Sequence, residues 1–508
     1  MEVLLQRKLS LIFLIVQFVL SAVLCGLAIY VGFIPTKYIV ALIAICVILM
    51  VYQVLSQLTN NSYVFGRILC IFFCAFFVGG GYYMYDAYAA VEEVTEADTK
   101  VDVISFYVLK TNSAQTLEDA KGYKFGILSE LDRENTDQSI ADAEKKVGTT
   151  LNIVEFDDTT TLVDALYAKD VEVIVFNQAY LNTVEDQYKT FAEDTRELSQ
   201  NSITTVVEVE NRYEDTDVTT KPFNVYISGI DVYGDISQTS RSDVNVIATI
   251  NPVTKKILLS STPRDYYVPL YKKGGESLSG GMCDKLTHAG IYGVDCSINT
   301  LEKLYDIDID YYVRVNFTSV KEIVNLLGGV KVYSDYDFIS DWGPDGAGTH
   351  YSFKKGYNKV NGKKALAFCR ERHHFANGDY QRGRDHQHMI EAILNKAMSP
   401  SILPNFSQLL KKSKKMFQTN MSTKKIASIC NMQLSDMAQW KIVYANADGS
   451  GAKKTTYSIR STALYVCVPD YDSVAKITKK IKKVMKETKK DDEEDEDSSD
   501  EAQATLKP

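Results

Sequence analysis

Apolar residues are concentrated at the beginning of the chain, in three runs at 9–31, 38–55 and 68–85. The first run is interrupted only by Ser10, Gln17 and Ser21, and the other two contain no charged residue. At ~1.5 Å per residue, each run is long enough to cross the ~30 Å hydrocarbon core of a bilayer as a helix. The pattern therefore predicts an anchor of three transmembrane helices within residues 1–86. A cleaved signal peptide explains the first run less well, because two further spans follow it.

The positive charges near these runs predict their orientation. Arg7 and Lys8 precede the first run and Arg67 precedes the third, whereas Lys37 is the only basic residue between the first two. Because basic residues are enriched in cytoplasmic loops, this bias predicts a multi-pass cell-membrane protein with a cytoplasmic N-terminus. Three crossings then place the C-terminal domains outside the cell.

Residues 94–208 alternate short strand patterns with helix patterns. Strands are predicted at 101–109, 124–128, 151–156 and 171–176, and helices at 116–121, 135–147 and 160–168. This alternation is typical of an α/β unit with a mainly parallel sheet. The layout is similar to one lobe of a solute-binding protein. We expect a small accessory domain with a structural or recognition role, and ligand binding is the alternative.

A polar, acidic stretch at 209–221 is predicted to be a linker, and a larger α/β domain follows at 222–470. Strands are predicted at 223–230, 244–250, 257–260 and 311–315, and helices at 297–305, 319–327, 363–368 and 385–397. The strand at 244–250 is almost continuously apolar, as expected for a strand that is covered on both faces. The predicted fold is therefore α/β, with helices on both sides of a central mixed sheet.

The C-terminal segments differ sharply in charge. Residues 471–490 are basic and helix-like, and 491–508 form an acidic tail that repulsion should keep solvated and disordered. The 508-residue chain has a net charge of −9, but without the acidic stretch at 491–501 its acidic and basic residues balance. A dominant basic field is absent from the sequence, so nucleic acid is not an expected partner.

Charged residues cluster where the strands of the larger domain end. Ligands of open α/β sheets bind beyond the carboxyl ends of strands, so these residues are candidates for one site. They are Asp231, Arg241, Asp243, Arg264 and Lys285, followed by Arg370, Arg372, Asp379, Arg382 and Arg384.

Two carboxylates surrounded by guanidinium groups suit phosphate chemistry. Asp231 and Asp243 supply the oxygen ligands that Mg²⁺ prefers. Arginine presents a planar set of donors that matches phosphate in a bidentate manner. Phosphoryl transfer depends on positioning and charge neutralisation more than on a protein nucleophile. A Mg²⁺-assisted reaction at a phosphate or diphosphate is therefore predicted.

Several separated motifs resemble the LytR-CpsA-Psr (LCP) family. They are Ser-Arg-Ser-Asp at 240–243, Ile-Asn-Pro at 250–252, Pro-Arg-Asp at 263–265, Lys-Leu-Thr-His-Ala at 285–289, Arg370-x-Arg372 and Gly378-Asp379-x-x-Arg382. The motif-bearing core covers 222–398. Together with three spans and an intervening α/β module, it resembles the CpsA-like branch of the family.

The resemblance implies a function and a set of roles. LCP proteins transfer a polyprenyl-pyrophosphate-linked glycopolymer, such as a capsular polysaccharide or a teichoic-acid-like polymer, to peptidoglycan. The implied metal ligands are Asp231 and Asp243, with Mg²⁺ as cofactor, and Asp243, Arg264 and Arg372 are the expected catalytic residues. The expected phosphate-binding residues are Arg241, Arg264, Lys285, Arg370, Arg372, Arg382, Asp379, His386 and Gln387. The membrane and peptidoglycan are expected partners, and capsule-assembly proteins are further candidates.

One position departs from the family pattern. The family has Gln seven residues after the position of Asp379, but this chain has His386 there and Gln387 next. Either the helix start is shifted by one residue or His386 takes the polar role. His373, His374, His386 and His388 follow no standard zinc-ligand spacing, so solvated positions in a loop and at a helix start are expected.

Three other functions remain open from the sequence. A pyrophosphatase would use water instead of a sugar hydroxyl as acceptor. A non-catalytic envelope binder or regulator would rely on the accessory domain. Transcriptional control by DNA binding conflicts with the predicted topology. The sequence also leaves open whether Asp243 or another carboxylate accepts the proton of the acceptor hydroxyl.

Overall fold

The computed structural model describes residues 2–32, 34–58, 63–94, 99–207, 216–341, 349–376, 378–399 and 416–488. The predicted acidic tail at 491–508 lies outside the described residues. Only the end of the predicted linker, 216–221, is described, and its Val218 is buried in a hydrophobic core of the larger domain.

The N-terminal segment forms three long helices, α1 (Glu2–Val31), α2 (Thr36–Leu58) and α3 (Tyr63–Val94). Within them, Lys8–Val31, Thr36–Gln57 and Tyr63–Asp86 are long and apolar enough to cross a membrane, with mean hydropathies of 2.7, 2.7 and 2.0. Helix α3 begins before Arg67, so this residue lies inside the helix. Its guanidinium donates to Gln57 Oε1 at 3.2 Å and to Ser10 Oγ at 3.1 Å, which ties the three helices together at one end.

The accessory module is a five-stranded sheet with helices on both faces. Its elements are β1 (Thr99–Leu109), β2 (Lys124–Leu128), α4 (Arg133–Val147), β3 (Asn152–Phe156), α5 (Thr159–Ala168), β4 (Val173–Asn177), α6 (Leu181–Gln187), α7 (Phe191–Asp194) and β5 (Thr195–Val206). The strand order is β3-β2-β4-β1-β5. Strand β2 is parallel to β3 and β4, but β1 is antiparallel to β4 and β5. The expectation of a mainly parallel sheet is therefore wrong, and the sheet is mixed.

The helix predicted at 116–121 is also wrong, because this segment forms turns. The carboxylate of Asp119 accepts hydrogen bonds from the backbone N–H groups of Gln115 (3.0 Å) and Thr116 (2.9 Å). Local side-chain bonds of this kind satisfy the backbone in a turn and compete with helix formation.

The larger domain is built on a six-stranded mixed sheet with the order β16-β11-β6-β7-β8-β17. Its strands are β6 (Phe223–Ile230), β7 (Ser242–Asn251), β8 (Lys256–Ser261), β11 (Tyr311–Asn316), β16 (Phe417–Thr419) and β17 (Lys441–Asn446). The helices are α8 (Val294–Tyr305), α9 (Phe317–Leu326), α10 (Gly362–Arg370), α11 (Gly378–Ala397), α12 (Thr423–Asp436) and α13 (Tyr471–Lys486). Small two-stranded sheets use β9 (Tyr267–Pro269), β10 (Cys283–Lys285), β12 (Val330–Ser334), β13 (Phe338–Ile339), β14 (Ser352–Phe353), β15 (Gly356–Val360), β18 (Gly449–Lys454) and β19 (Leu464–Pro469).

The two faces of the large sheet have different partners. Side chains alternate along a strand, so neighbouring residues of β6 face opposite sides. Tyr226 packs into a core with α8 and α13, whereas Val225 packs into a core that α11 and α12 complete. The predicted helical layers on both faces are therefore present.

The candidate site residues meet at one edge of the sheet because β6, β7 and β8 are antiparallel neighbours. Asp231 directly follows β6, Asp243 is the second residue of β7, and Arg264 follows β8. The end of one strand therefore lies beside the beginning of the next. A register shift at Gly229/Ile230 interrupts the pairing beside Asp231.

A close backbone approach holds this edge in place. A Cβ atom on Gly290 would lie 2.6 Å from Ser242 N and 2.8 Å from Ser240 O, on the segment that carries Arg241. We expect Gly290→Ala to destabilise the domain by ~1–3 kcal/mol, because the backbone must move apart. Thermal unfolding of the full chain in detergent measures this. Gly122→Ala, at a position with open space around it, is the matched control, and equal unfolding midpoints for the two variants would contradict the expectation.

Candidate active site at the edge of the large sheet

A cavity of about 910 Å³ lies between the large sheet and helices α9 to α12, and its two ends differ in character. The interior is lined by aliphatic side chains, including Val225, Ile227, Val244, Ala248 and Ile390. The mouth is lined by charged side chains, including Asp231, Arg241, Asp243, Arg264, Arg370, Arg372 and Arg382, and the accessory module adds Glu185, Asp186, Lys189 and Glu193 to the lining. This arrangement suits a molecule with an anionic head and an apolar tail.

Asp243 and Arg264 form the most buried ion pair at the mouth. Arg264 Nη1 lies 2.6 Å from Asp243 Oδ2, and the exposed fractions of the two side chains are 13% and 15%. Thr287 Oγ1 donates to the other oxygen of Asp243 at 2.9 Å. Burial alone would raise the pKa of Asp243, but the guanidinium groups of Arg264, Arg241 and Arg382 hold it well below its usual range.

Asp231 is held by one residue of its own domain and by one from the accessory module. Arg241 Nη2 lies 3.4 Å from Asp231 Oδ2, and Asn182 Nδ2 donates to the same oxygen at 3.3 Å. Arg241 is also paired with Asp186 Oδ2 at 3.2 Å. Asn182 and Asp186 lie on α6, so this short helix forms part of the cavity wall.

The two aspartates carry opposite pKa shifts. Burial, followed by the charge of Asp243, raises the pKa of Asp231, and Arg241, Arg264 and Arg370 offset only part of this effect. Two partly buried carboxylates that disfavour each other's charge are a suitable place for a hard divalent cation, since its charge compensates both. The donor set of Asp231 and Asp243 therefore fits Mg²⁺.

The last residue of α10 and the segment that follows it present Arg370 and Arg372. The Arg370 guanidinium donates to Tyr233 Oη at 2.8 Å and lies 4.7 Å from the centre of the Phe317 ring. Glu371 is buried and accepts from the backbone N–H groups of Arg372 (2.9 Å) and His373 (2.8 Å). Because Glu371 points inward between them, Arg370 and Arg372 both face the cavity, and the bonds of Glu371 hold the backbone in this position.

Helix α11 contributes Arg382 and His386 to the cavity lining. Arg382 Nη2 lies 2.8 Å from Asp379 Oδ1, one helical turn away, and Asp379 lines a small adjoining cavity. His386 Nε2 lies 2.9 Å from Cys369 O. Burial, followed by the charge of Arg382, lowers the pKa of His386 to about 4, so its ring is neutral at pH 7.

Three of the predicted site residues, Lys285, Arg384 and Gln387, line neither the large cavity nor the small adjoining one. Lys285 is paired with Asp265 at 3.0 Å, and Gln387 is buried and donates to Leu259 O (2.8 Å) and Ala445 O (2.9 Å). The contacts of Gln387 join α11 to β8 and β17. His386, and not Gln387, therefore occupies the position that faces the cavity.

The prediction that four histidines are solvated is correct for two of them and wrong for the other two. His373 and His374 are exposed, as expected, but His386 and His388 are partly buried within α11. The sequence also did not reveal Asn182, Asp186 or the supporting role of Glu371. Of these, only Glu371 could have been found from the sequence, because it lies between two arginines of the predicted site. Asn182 and Asp186 are about fifty positions before Asp231 and Arg241, the residues they contact.

A family model described as the LytR_cpsA_psr family matches residues 154–487. The chain belongs to the LytR-CpsA-Psr family. The match begins within the accessory module, in β3, and runs through α13.

Curated LCP relatives carry names that state an activity. The chain is 31% identical over 261 residues to a protein of Bacillus licheniformis named polyisoprenyl-teichoic acid–peptidoglycan teichoic acid transferase TagU; the match covers 51% of this chain and 77% of the relative. It is 30% identical over 268 residues to the Bacillus subtilis protein of the same name, with the same two coverages.

Solved LCP structures align with about half of the chain. Crystal structures of B. subtilis TagV and TagU are 26% and 28% identical to it. Each alignment covers 53% of this chain and 99% of the solved chain, with TM-scores of 0.44 and 0.40.

We expect the α6 contact to affect substrate binding in this LCP protein. Asp186→Asn removes the carboxylate that holds Arg241 towards the cavity; because Asp186 is 60% exposed, the pair is worth at most ~1 kcal/mol, or about fivefold in KM. The value of kcat should be unchanged. Steady-state kinetics separates the two constants.

The matched control is Asp164→Asn, which removes an accessory-domain carboxylate that contacts Tyr188 and does not line the cavity. A lower KM for Asp186→Asn would mean that Asp186 competes with the substrate for Arg241, contrary to our expectation.

Proposed function

We propose that this LCP protein is a membrane-anchored phosphotransferase that moves a polyprenyl-pyrophosphate-linked glycopolymer onto peptidoglycan with the help of Mg²⁺. The names of the curated relatives support a transfer of this class. A capsular polysaccharide and a teichoic-acid-like polymer are both within the proposed substrate range.

One observation carries the proposal. The cavity joins an aliphatic interior to a mouth with five arginines and the pair Asp231 and Asp243. A diphosphate that bears a long prenyl chain has the same division between an anionic head and an apolar tail. Arginine is well matched to phosphate oxygens, and aliphatic walls favour hydrocarbon at ~25 cal/mol per Å² buried.

The membrane helices lie close to the apolar end of this cavity. Its lining includes Met421 and Ile429, and Ile429 lies on α12. Other residues of α12 pack against the ends of α1 and α3, through Val31 and Met84. A prenyl chain could therefore pass from the bilayer into the cavity while its diphosphate stays at the mouth.

The connection between α1 and α2 lies on the same side as the larger domain. Asn431 Nδ2 of α12 donates to Gly32 O at 3.1 Å. We propose that this side is extracellular, as the charge bias predicts, with the N-terminus in the cytoplasm. An epitope inserted after residue 99 should then be accessible to protease on intact cells.

Asp231 and Asp243 would hold Mg²⁺, which supplies positive charge beside the diphosphate oxygens. Arg264, Arg372 and Arg382 bind the diphosphate and stabilise the charge that develops on the leaving polyprenyl phosphate. A sugar hydroxyl of peptidoglycan forms a new bond to the phosphorus next to the glycan, and the bond from this phosphorus to the bridging oxygen breaks. Polyprenyl phosphate leaves with that oxygen, and the hydroxyl proton passes to a carboxylate at the mouth or to water. Neutral His386 donates its Nε2–H to Cys369 O, so its Nδ1 remains as a hydrogen-bond acceptor that adds no charge.

The proposal is tested in a strain that lacks this protein, by measuring the polymer attached to the wall. Rescue by the wild type and failure of Asp243→Ala, expressed at the same level in the membrane, are expected. Full rescue by Asp243→Ala would overturn the proposal and favour a non-catalytic envelope role. In vitro, release of the polymer without attachment to wall fragments would favour a pyrophosphatase.

A further inference from the structure

Helix α11 carries a second polar cluster on the face that points away from the cavity. Gln381, Asp385 and His388 follow one another at helical spacing, so they lie on one side of the helix. Asp335, which directly follows β12, lies against this side. None of these four residues lines the large cavity, and the proposed transfer does not use them.

We propose that Asp335, Asp385 and His388 form a second metal site, which takes a divalent transition-metal ion such as Zn²⁺ or Mn²⁺ and fastens α11 to the end of β12. One ligand atom from each residue lies within 4.8 Å of the others. Ligand atoms at this spacing need only small side-chain movements to reach a common ion at ordinary metal–ligand distances.

Two buried atoms in this cluster lack partners, and they point to a ligand. Asp385 is 1% exposed, and its Oδ2 makes no hydrogen bond to any residue that the structure describes. His388 Nδ1 is also buried and has no partner among the described residues. An unpaired buried carboxylate oxygen and an unpaired imidazole nitrogen are costly to leave unsatisfied, and an ion bound between them would satisfy both.

The remaining contacts orient the cluster and leave it with too little positive charge. Gln381 Nε2 donates to Asp335 Oδ2 at 2.9 Å and to Asp385 Oδ1 at 3.0 Å, which holds the two carboxylates side by side. The charged groups that face the cluster are Asp335, Glu371, Arg384 and Glu391. With Asp385 itself, these are four carboxyl groups and one guanidinium. A divalent cation would correct this imbalance.

The ligand atoms of the three residues determine which kind of metal ion the site prefers. Two carboxylates and one imidazole suit Zn²⁺ or Mn²⁺, whereas Mg²⁺ prefers oxygen ligands alone. The rings of Tyr333 and Tyr444 lie 5.5 Å and 5.4 Å from the His388 ring and limit the positions it can adopt. This site therefore differs in chemistry from the pair Asp231 and Asp243, which has only oxygen ligands.

The site would stabilise the helix that supports the cavity mouth. Asp379, Arg382 and His386 lie on the same helix, on the side facing the two cavities. An ion that joins α11 to β12 would fix the direction of this helix from behind. The three ligands are therefore positioning residues, and binding of the ion does not depend on catalysis.

The experiment uses the full chain in detergent, stripped with a chelator and titrated with Zn²⁺ alone, because Mn²⁺ would also suit the oxygen-ligand pair. We expect one equivalent to bind in the wild type, and Asp385→Asn and His388→Gln each to weaken this binding tenfold or more. Elemental analysis after dialysis gives the stoichiometry. Co²⁺ substitution adds a spectroscopic readout, since its visible absorption bands should change in His388→Gln.

Two controls separate this site from others. Asp243→Asn should retain the Zn²⁺ equivalent, because it alters only the oxygen-ligand pair. His374→Gln should also retain it; His374 belongs to a cluster with Asp341 and Glu371 in which the side chains of Asp341 and His374 are 37% and 43% exposed. Loss of binding in His374→Gln but not in His388→Gln would move the site there and overturn the proposal.

Asp335→Asn provides a second test if the buried variants fold poorly, because Asp335 is only partly buried. It should weaken Zn²⁺ binding while leaving the unfolding midpoint of the metal-free chain close to that of the wild type. Absence of a saturable Zn²⁺ equivalent in the wild-type chain would overturn the proposal, and Asp385 would then be a protonated carboxyl group.

Discussion

Asp243→Asn should reduce polymer transfer by at least about a thousandfold, because the substitution removes two contributions at once. The variant lacks a carboxylate for the proposed Mg²⁺, and Arg264 loses the partner that lies 2.6 Å away. Thr287 can still donate to the remaining carbonyl oxygen, so the side chain keeps its position. Transfer of a polyprenyl-pyrophosphate-linked glycan to wall fragments, followed at several Mg²⁺ concentrations, measures the loss.

Asp265→Asn is the matched control for this prediction. Asp265 is also an aspartate beside the same arginine, with its Oδ2 atom 3.7 Å from Arg264 Nε. It is buried, but it does not line the cavity. Its replacement leaves Lys285 without a partner and destabilises the domain, so rates are compared per folded protein, and on that basis the loss in transfer should be less than about tenfold. If Asp243→Asn kept more than a tenth of the wild-type rate with its Mg²⁺ dependence intact, Asp243 would have no role at the metal.

The main strands of the large sheet, in or near which Asp243 and Asp265 lie, were evident from the sequence. Strand β7 is a long run of β-branched and other apolar residues that only a doubly covered strand can bury, and β6 and β8 are similar. Their observed ends differ from the predicted ends by at most two residues. Helix α11 begins at Gly378, seven residues before the predicted start, because its first two turns are polar and carry site residues instead of apolar ones.

The accessory module was harder to predict because its information is not local. Strand β5 is polar and half-exposed along most of its length, so no hydrophobic alternation marks it. It pairs with β1 along eleven positions in the antiparallel direction, and β1 is also antiparallel to its other neighbour, β4. Strand direction depends on such long-range pairing, whereas the alternation of helix and strand patterns indicates only that an α/β unit is present.

The site shows the same division between local and long-range information. Asp231, Asp243 and Arg264 could be grouped because each is adjacent to a strand of one sheet. The proximity of α6 could not be predicted, because contact between Asp186 and Arg241 depends on how two modules pack. Nor did any pattern show that Lys285 pairs with Asp265 outside the cavity, since that depends on side-chain direction at the end of β10.

Ala248→Phe is expected to have the second large effect, by filling the apolar part of the cavity. Ala248 is 3% exposed, lies in β7 and lines the interior, away from the charged mouth. Each five-carbon isoprene unit that the ring excludes costs about 4 kcal/mol at ~0.8 kcal/mol per carbon, or roughly a thousandfold in transfer from a long-chain donor. Kinetics with long-chain and ten-carbon prenyl donors, at equal Mg²⁺, checks this expectation.

Measurements with the ten-carbon donor distinguish loss of the lipid-binding site from general destabilisation of the domain. If the tail occupies the aliphatic interior, a ten-carbon chain should fit beside the new ring, and its turnover should stay within about threefold of wild type, because the mouth is unchanged. Ala248→Val, which adds only two carbons, should give an intermediate loss with the long donor. Equal losses for both donors, together with a lower unfolding midpoint, would mean that overpacking distorts β7 itself, since crowding of this kind costs ~1–3 kcal/mol. Unchanged turnover of the long donor would place the prenyl chain outside the cavity and remove the main support for a lipid-linked substrate.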